Sequence, residues 1–209
     1  MPPPSPEQTT HGVGPHPRPW PVGPQWDPDL LEHGDSRNVV DAYRYWTMEA
    51  IVADLDTRRH RFDVAIENWQ HDLNIGSIVR TANAFLAGTV HIVGRRRWNK
   101  RGAMVTDRYQ HVRYHADIDT FVAAMREDAR PIIAIDNLPG AQFVERVTVP
   151  ERCVFLFGQE GPGLSDAALA AADTHLAIAQ FGSTRSINAS AAAAIVMHAW
   201  VREHASLPE

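Results

Sequence analysis

From Phe62 onward, apolar runs of four or five residues alternate with helical stretches of about ten, and few architectures accommodate that alternation. Phe62–Ile66, Thr89–Val93, Ile132–Ile135, Val154–Phe157 and His175–Ile178 read as strands. Ile75–Leu86, Ile118–Glu127, Asp166–Ala172 and Ala189–Glu203 read as helices. A helix between two short strands carries the chain back to the end of the sheet where it started, so the next strand runs parallel to the last. The expectation is an α/β fold, mainly a parallel sheet with helices on both faces. Self-similarity at a period of about 20 to 50 residues is absent, so a solenoid is not indicated.

The residues before Phe62 read differently. Ten of the 15 prolines fall within Met1–Pro28, mixed with Gly and His, so residues 1–34 form a Pro-rich extension. Trp20 and Trp26 suggest that its second half lies along a folded surface. Val39, Tyr43, Trp46 and Ala50 recur at helical spacing after the plausible caps Asp35 and Ser36. They predict an N-terminal helix within residues 35–60, ending near Arg58, with the principal domain occupying residues 61–209.

Several function classes are disfavoured. The longest apolar stretch, Ala189–Trp200, is interrupted by Ser190 and His198 and is shorter than the roughly 20 residues that span a bilayer. Met1–Pro6 has neither the basic nor the apolar region of a secretory signal, and Cys153 is a lone cysteine, so a reducing cytoplasm is expected. The 11 histidines are scattered with no metal-ligand spacing, and no metal is expected. The formal net charge of −5 argues against a nucleic-acid partner until its distribution is considered. Arg95, Arg96, Arg97, Lys100, Arg101, Arg108 and Arg113 face only Asp107, a local charge of +6 able to attract a polyanion. Trp98 and Tyr109 are interleaved with these cations.

Three segments carry chemistry. Asn74-Ile-Gly-Ser-Ile-Val-Arg80 opens a helix after a strand, with Asn74 as a possible cap and Arg80 among core-type neighbours. Phe157-Gly158-Gln159-Glu160-Gly161-Pro162-Gly163 runs an apolar strand into a glycine-rich turn that lets backbone approach a ligand. It is neither a dinucleotide fingerprint nor a P-loop. Ile178-Ala-Gln180-Phe-Gly-Ser-Thr-Arg185-Ser186-Ile187-Asn188 precedes an alanine-rich helix and holds more polar residues than a cap requires.

In this order and near these spacings, the three segments resemble the SpoU/TrmH family of SPOUT RNA methyltransferases, over about Phe62–Arg202. The resemblance implies a C-terminal trefoil knot, S-adenosylmethionine as cofactor, and methylation of a ribose 2'-hydroxyl in tRNA or rRNA. It also implies a homodimer whose site is completed across the interface, a role that Ile195, Val196 and Trp200 would suit. By the same resemblance Asn74, Arg80, Glu160, Ser186 and Asn188 are the catalytic set, with Glu160 and Asn74 orienting Arg80. Donor contacts fall on Leu138, Gly158, Ile178 and Ile187. The chain departs from the family pattern where Ala179-Gln180 replaces the usual Pro-Met and Ile187 the usual Leu. Its Arg185-Ser186 form looks like a variant seen in some tRNA ribose methylases.

Arg95, Arg96, Arg97, Lys100 and Arg101 are the candidate RNA-binding surface. Two other readings stand beside this one. A non-catalytic RNA-binding or assembly protein on the same fold is disfavoured by the intact motif residues, and a small-molecule methyltransferase by the basic segment.

Overall fold

The computed structural model describes residues 12–68 and 74–207, which group into two compact units. The first eleven residues of the predicted Pro-rich extension lie outside the described residues.

Within the N-terminal unit, which ends at Thr57, a short helix α1 (Pro28–His33) lies in the expected Pro-rich extension, and the helix expected within residues 35–60 is reduced to a single 3-10 turn at Asp41–Tyr43 and the short α2 (Met48–Asp56). The cause is Asp35, which is fully buried and caps nothing. Its carboxylate accepts hydrogen bonds from the Arg37 guanidinium at 2.9 and 2.7 Å and from the backbone N–H groups of Arg37 and Tyr45, both at 3.0 Å. Such side-chain bonds to backbone compete with a helix, and Tyr45, at φ +63°, interrupts one outright. Thr47 supplies the true cap of α2, its Oγ1 accepting from the Ala50 N–H at 3.2 Å. Trp26, on the segment expected to lie along a surface, bridges to Trp46 and meets its ring edge-on.

Among its described residues the second unit contains seven strands: β1 (Phe62–Asn68), β2 (Thr89–Gly94), β3 (His111–His115), β4 (Ile132–Ile135), β5 (Gln142–Phe143), β6 (Cys153–Phe157) and β7 (Thr174–Ala177). They form one sheet in the order β3-β2-β1-β6-β4-β7-β5, with every pairing parallel. Helices α3 (Asn74–Ala84), α4 (Ile118–Glu127), α5 (Asp166–Ala171) and α6 (Ala189–His204) cover it. Strand alternation sorts the core into two layers. Phe62, Val64, Ile66, Phe155 and Phe157 pack with Ile75, Ile78 and Val79 of α3 and with Val196, Met197 and Trp200 of α6. On the other face Ala65, Val154 and Leu156 pack with Phe121 and Met125 of α4 and with Ala168 of α5.

This arrangement fixes where a site can form. Because all strands run parallel, the loops leaving β4, β6 and β7 emerge along one edge together with the C-terminal end of β1, where ligands of open parallel sheets bind. Helices α3 and α6 lie on the same face and pack together, which brings Asn74 and Asn188 to one place. Cys153 belongs to the core, and burial pushes its thiol up to about 12. Among the described residues no helix is long and apolar enough to cross a membrane.

Candidate active site

The three sequence motifs meet through side-chain amides. Asn74, the first residue of α3, donates from Nδ2 to Glu160 Oε2 at 2.9 Å. Asn188 Nδ2 donates to Asn74 Oδ1 at 2.8 Å and lies 3.4 Å from Glu160 Oε1. Asn188 is also the cap of α6: its Oδ1 accepts from Ser190 N–H at 2.9 Å and from Ala191 N–H at 3.3 Å. One residue thus holds the triangle and starts the helix.

Beside the triangle lies a cavity of about 450 Å³, lined by the loops that follow β4, β6 and β7. Leu138, Gly158, Ile178 and Ile187 all line it, as do Glu160, Ser186 and Asn188. The loop after β6 is closed by a backbone bridge between Gln159 and Gly163, at 3.2 and 3.1 Å. Gly161 and Gly163 take φ of +99° and +73° to make that turn. Gly158 is required for space: a Cβ there would lie 2.1 Å from the Gly163 carbonyl carbon and 2.3 Å from Leu164 N. Glu67, fully buried at the end of β1, fastens the far end of this loop by accepting from Ser165 N–H at 2.7 Å and from Ser165 Oγ at 2.8 Å.

Asp136 and Asn137 were not singled out from sequence. Both line the cavity. Asp136 Oδ1 accepts from Asn137 N–H at 2.7 Å, and Asn137 Nδ2 donates to the Arg185 carbonyl at 3.0 Å, tying the loop after β4 to the third motif. Their signal was position, since they follow an apolar strand just as Gly158 follows β6.

Arg80 does not join the triangle. It is exposed on α3, six residues and about 240° from Asn74, with no hydrogen bond or ion pair among the described residues. The expected orientation of Arg80 by Glu160 and Asn74 is therefore absent within one chain. Nor do the three interface residues expected on α6 share a face: Val196 and Trp200 are core, and only Ile195 is exposed.

The basic segment is built onto α3. Arg95, Arg96, Arg97, Lys100 and Arg101 are all exposed. Asn68 Nδ2 donates to the carbonyls of Arg95 and Arg97 at 2.6 and 3.0 Å, fixing the segment's start to the end of β1. Gly76 meets its middle: a Cβ there would lie 2.8 Å from Ala103 N and 2.9 Å from both Asn99 O and Gly102 Cα. Lys100 pairs with Asp107 at 2.7 Å. Trp98 and Tyr109 are buried, the Lys100 ammonium standing 5.6 Å over the Trp98 ring, and the segment's end becomes β3.

The family model described as the SpoU rRNA methylase family matches residues 61–198. The chain belongs to that family. This SpoU-family chain is 27% identical over 168 residues to the tRNA (guanosine(18)-2'-O)-methyltransferase of Escherichia coli K12, covering 74% of the chain and 73% of the relative. Its fold is that of the solved A. aeolicus TrmH/SpoU tRNA modifying enzyme, with a TM-score of 0.66, 19% identity, and coverage of 75% of this chain and 81% of that one. The SpoU methyltransferase AviRb of Streptomyces viridochromogenes, solved with AdoMet, is 25% identical with a TM-score of 0.58. That match covers 69% of the SpoU-family chain and 58% of AviRb.

The cavity suits the cofactor. Leu138, Ile178 and Ile187 offer apolar sides for an adenine, Asp136 and Glu160 offer carboxylates to a cation, and the volume lies in the range of small-molecule pockets. Among the described residues no cluster of metal-ligating side chains is present.

Proposed function

We propose that the protein methylates a ribose 2'-hydroxyl of RNA, transfer RNA before ribosomal RNA, in the cavity at the Asn74–Glu160–Asn188 triangle. The observation that carries this reading is the convergence of all three motifs on a pocket of cofactor size in a SpoU-family chain. When bound, S-adenosylmethionine supplies a methyl carbon made electrophilic by its sulfonium. Leu138, Gly158, Ile178 and Ile187 would hold the donor through close backbone approach and apolar contact, and Ser186, which lines the same cavity, would fix the third-motif loop together with Asn188. The C-terminal trefoil knot belongs to the same reading, since the loops it would interlock are those lining the cavity.

Arg80 acts as a cation. Guanidinium keeps its proton at neutral pH, so it stabilises the negative charge growing on the 2'-oxygen as the hydroxyl passes its proton to solvent water, and it grips the neighbouring phosphate. Because Arg80 stands on the exposed face of α3, away from its own triangle, it serves a partner's cavity in a homodimer. Exposed Ala191, Ile195 and His198 of α6 provide the adjoining surface. Arg95, Arg96, Arg97 and Arg101 bind RNA phosphates, while Lys100, paired with Asp107, contributes less. A cytoplasmic location accords with an RNA substrate.

Tritiated methyl transfer to total RNA from a strain lacking the protein, followed by mapping of the labelled nucleotide, tests the reaction. Arg80→Ala should lower single-turnover transfer by at least about 100-fold, or about 2.7 kcal/mol of transition-state stabilisation. Its donor affinity by calorimetry should stay within several-fold of wild type. Near-normal transfer would remove Arg80 from the chemistry, and no transfer by wild type to any RNA would favour a non-catalytic RNA-binding protein.

A further inference from the structure

A second space of about 490 Å³ opens beside the donor cavity, sharing Asn137 and Gln180 with it. Two aromatic rings line this groove, Phe143 at 40% exposure and Phe181 at 97%. The Arg146 guanidinium stands 5.9 Å over the Phe143 ring, within cation–π range.

Phe181 is held outward by local bonding. Glu145 accepts the Ala179 N–H on both carboxylate oxygens, at 3.1 and 3.3 Å. That bond requires a residue other than proline at position 179, since proline has no N–H to give. It pins the chain two residues before Phe181, so the ring projects into solvent while Ile178 stays at the cavity wall. Gln180, between them, has a buried Oε1 with no hydrogen-bond partner. A buried amide oxygen left unsatisfied is costly, and a carboxamide's paired donor and acceptor match the edge of a nucleobase once the side chain turns into the groove it lines.

We propose that this groove holds one unstacked nucleobase of the RNA substrate, stacked on the Phe181–Phe143 platform and read at its edge by Gln180. The proposal rests on the methyltransferase reading above. A target ribose placed at the donor cavity puts its own base, or the next one, within reach of a groove that shares two wall residues with that cavity. Planar rings, a guanidinium and a carboxamide are the groups with which proteins bind unpaired RNA bases.

The test uses Phe181→Ala, Phe181→Leu and Phe181→Trp in the full chain, with unfractionated tRNA from a strain lacking the protein as the probe. Donor affinity, oligomeric state, and KM and kcat for tRNA are measured for each. Phe181→Ala should raise the KM for tRNA by about tenfold or more. Donor affinity, sedimentation and kcat should be unchanged, Phe181→Trp should restore KM, and Phe181→Leu should not. An unchanged KM in Phe181→Ala, or full restoration by Leu, overturns the stacking role. Dissociation of the oligomer assigns the platform to a second copy of this chain and overturns it as well. Wild type that transfers methyl to no RNA sinks the enzymatic reading itself, an outcome distinct from a wild type that is active and a variant that matches it.

Discussion

Gly158 shows how narrowly a single atom is constrained. The sequence expectation rested on a glycine-rich turn that lets backbone approach a ligand, and the structure adds a nearer reason. A Cβ would meet the backbone of Gly163 and Leu164, and backbone cannot swing aside as a flexible side chain can. Gly158→Ala should therefore displace the Gln159–Gly163 bridge and weaken S-adenosylmethionine binding by about tenfold or more, some 1.4 kcal/mol. Calorimetry on the purified variant checks this, with thermal melting to confirm that the rest of the domain is folded. Asp136 illustrates the converse. Its carboxylate lines the same cavity, yet an aspartate after a strand is too common to stand out in one sequence.

At the scale of elements, the contact of α3 with the segment that follows β2 joins two expectations made separately. The same helix carries Asn74, Arg80 and, through Gly76, the seat of the basic segment. Gly76→Ala should unseat that segment and reproduce the effect of replacing Arg95, Arg96 and Arg97 with alanine. Both should weaken RNA binding and flatten its salt dependence, each lost phosphate contact removing about 0.7 from the log–log slope on a single strand. Titration of tRNA at several salt concentrations reads the slope, and one equal to wild type in both would return the segment to an ordinary solvated loop. The strands and helices that bury two faces or one broad stripe were legible because apolar periodicity records burial. The edge strand β3, His-Val-Arg-Tyr-His, was not, because it is largely exposed and mixes polar with apolar residues. Two-residue β5 is too short to have a period. The region of Asp35 misled because its spacing is helical while a buried carboxylate claims the backbone. The triangle's members were legible by resemblance, but that Arg80 stands apart from it depends on where α3 points.

The principal domain as a whole carries a pH dependence to which one buried cluster across β1, β2 and β3 contributes. His91 contacts Asp63 at 3.1 Å and His115 at 2.9 Å, and Arg130 lies 3.3 Å from Asp63. Burial, with help from the charges of His91 and Arg113, holds His115 down at about 4. An unfolded chain takes up this proton near the ordinary value of 6.5, and the folded protein does not until about 4. Stability is therefore complete above that upper value and falls as pH descends through the window towards about 4. Denaturant unfolding across this range should show the decline, and His115→Gln should remove most of it. The cap of α6 has a consequence of another kind. Asn188 both closes the polar triangle and begins a sixteen-residue helix, so losing the first task still leaves the second. Glu160 sits in a loop, its carboxylate receiving both amides. A descendant of this chain that abandons methyl transfer should therefore shed Glu160 early and keep Asn188, or exchange it only for another capping residue, long after the reaction is gone.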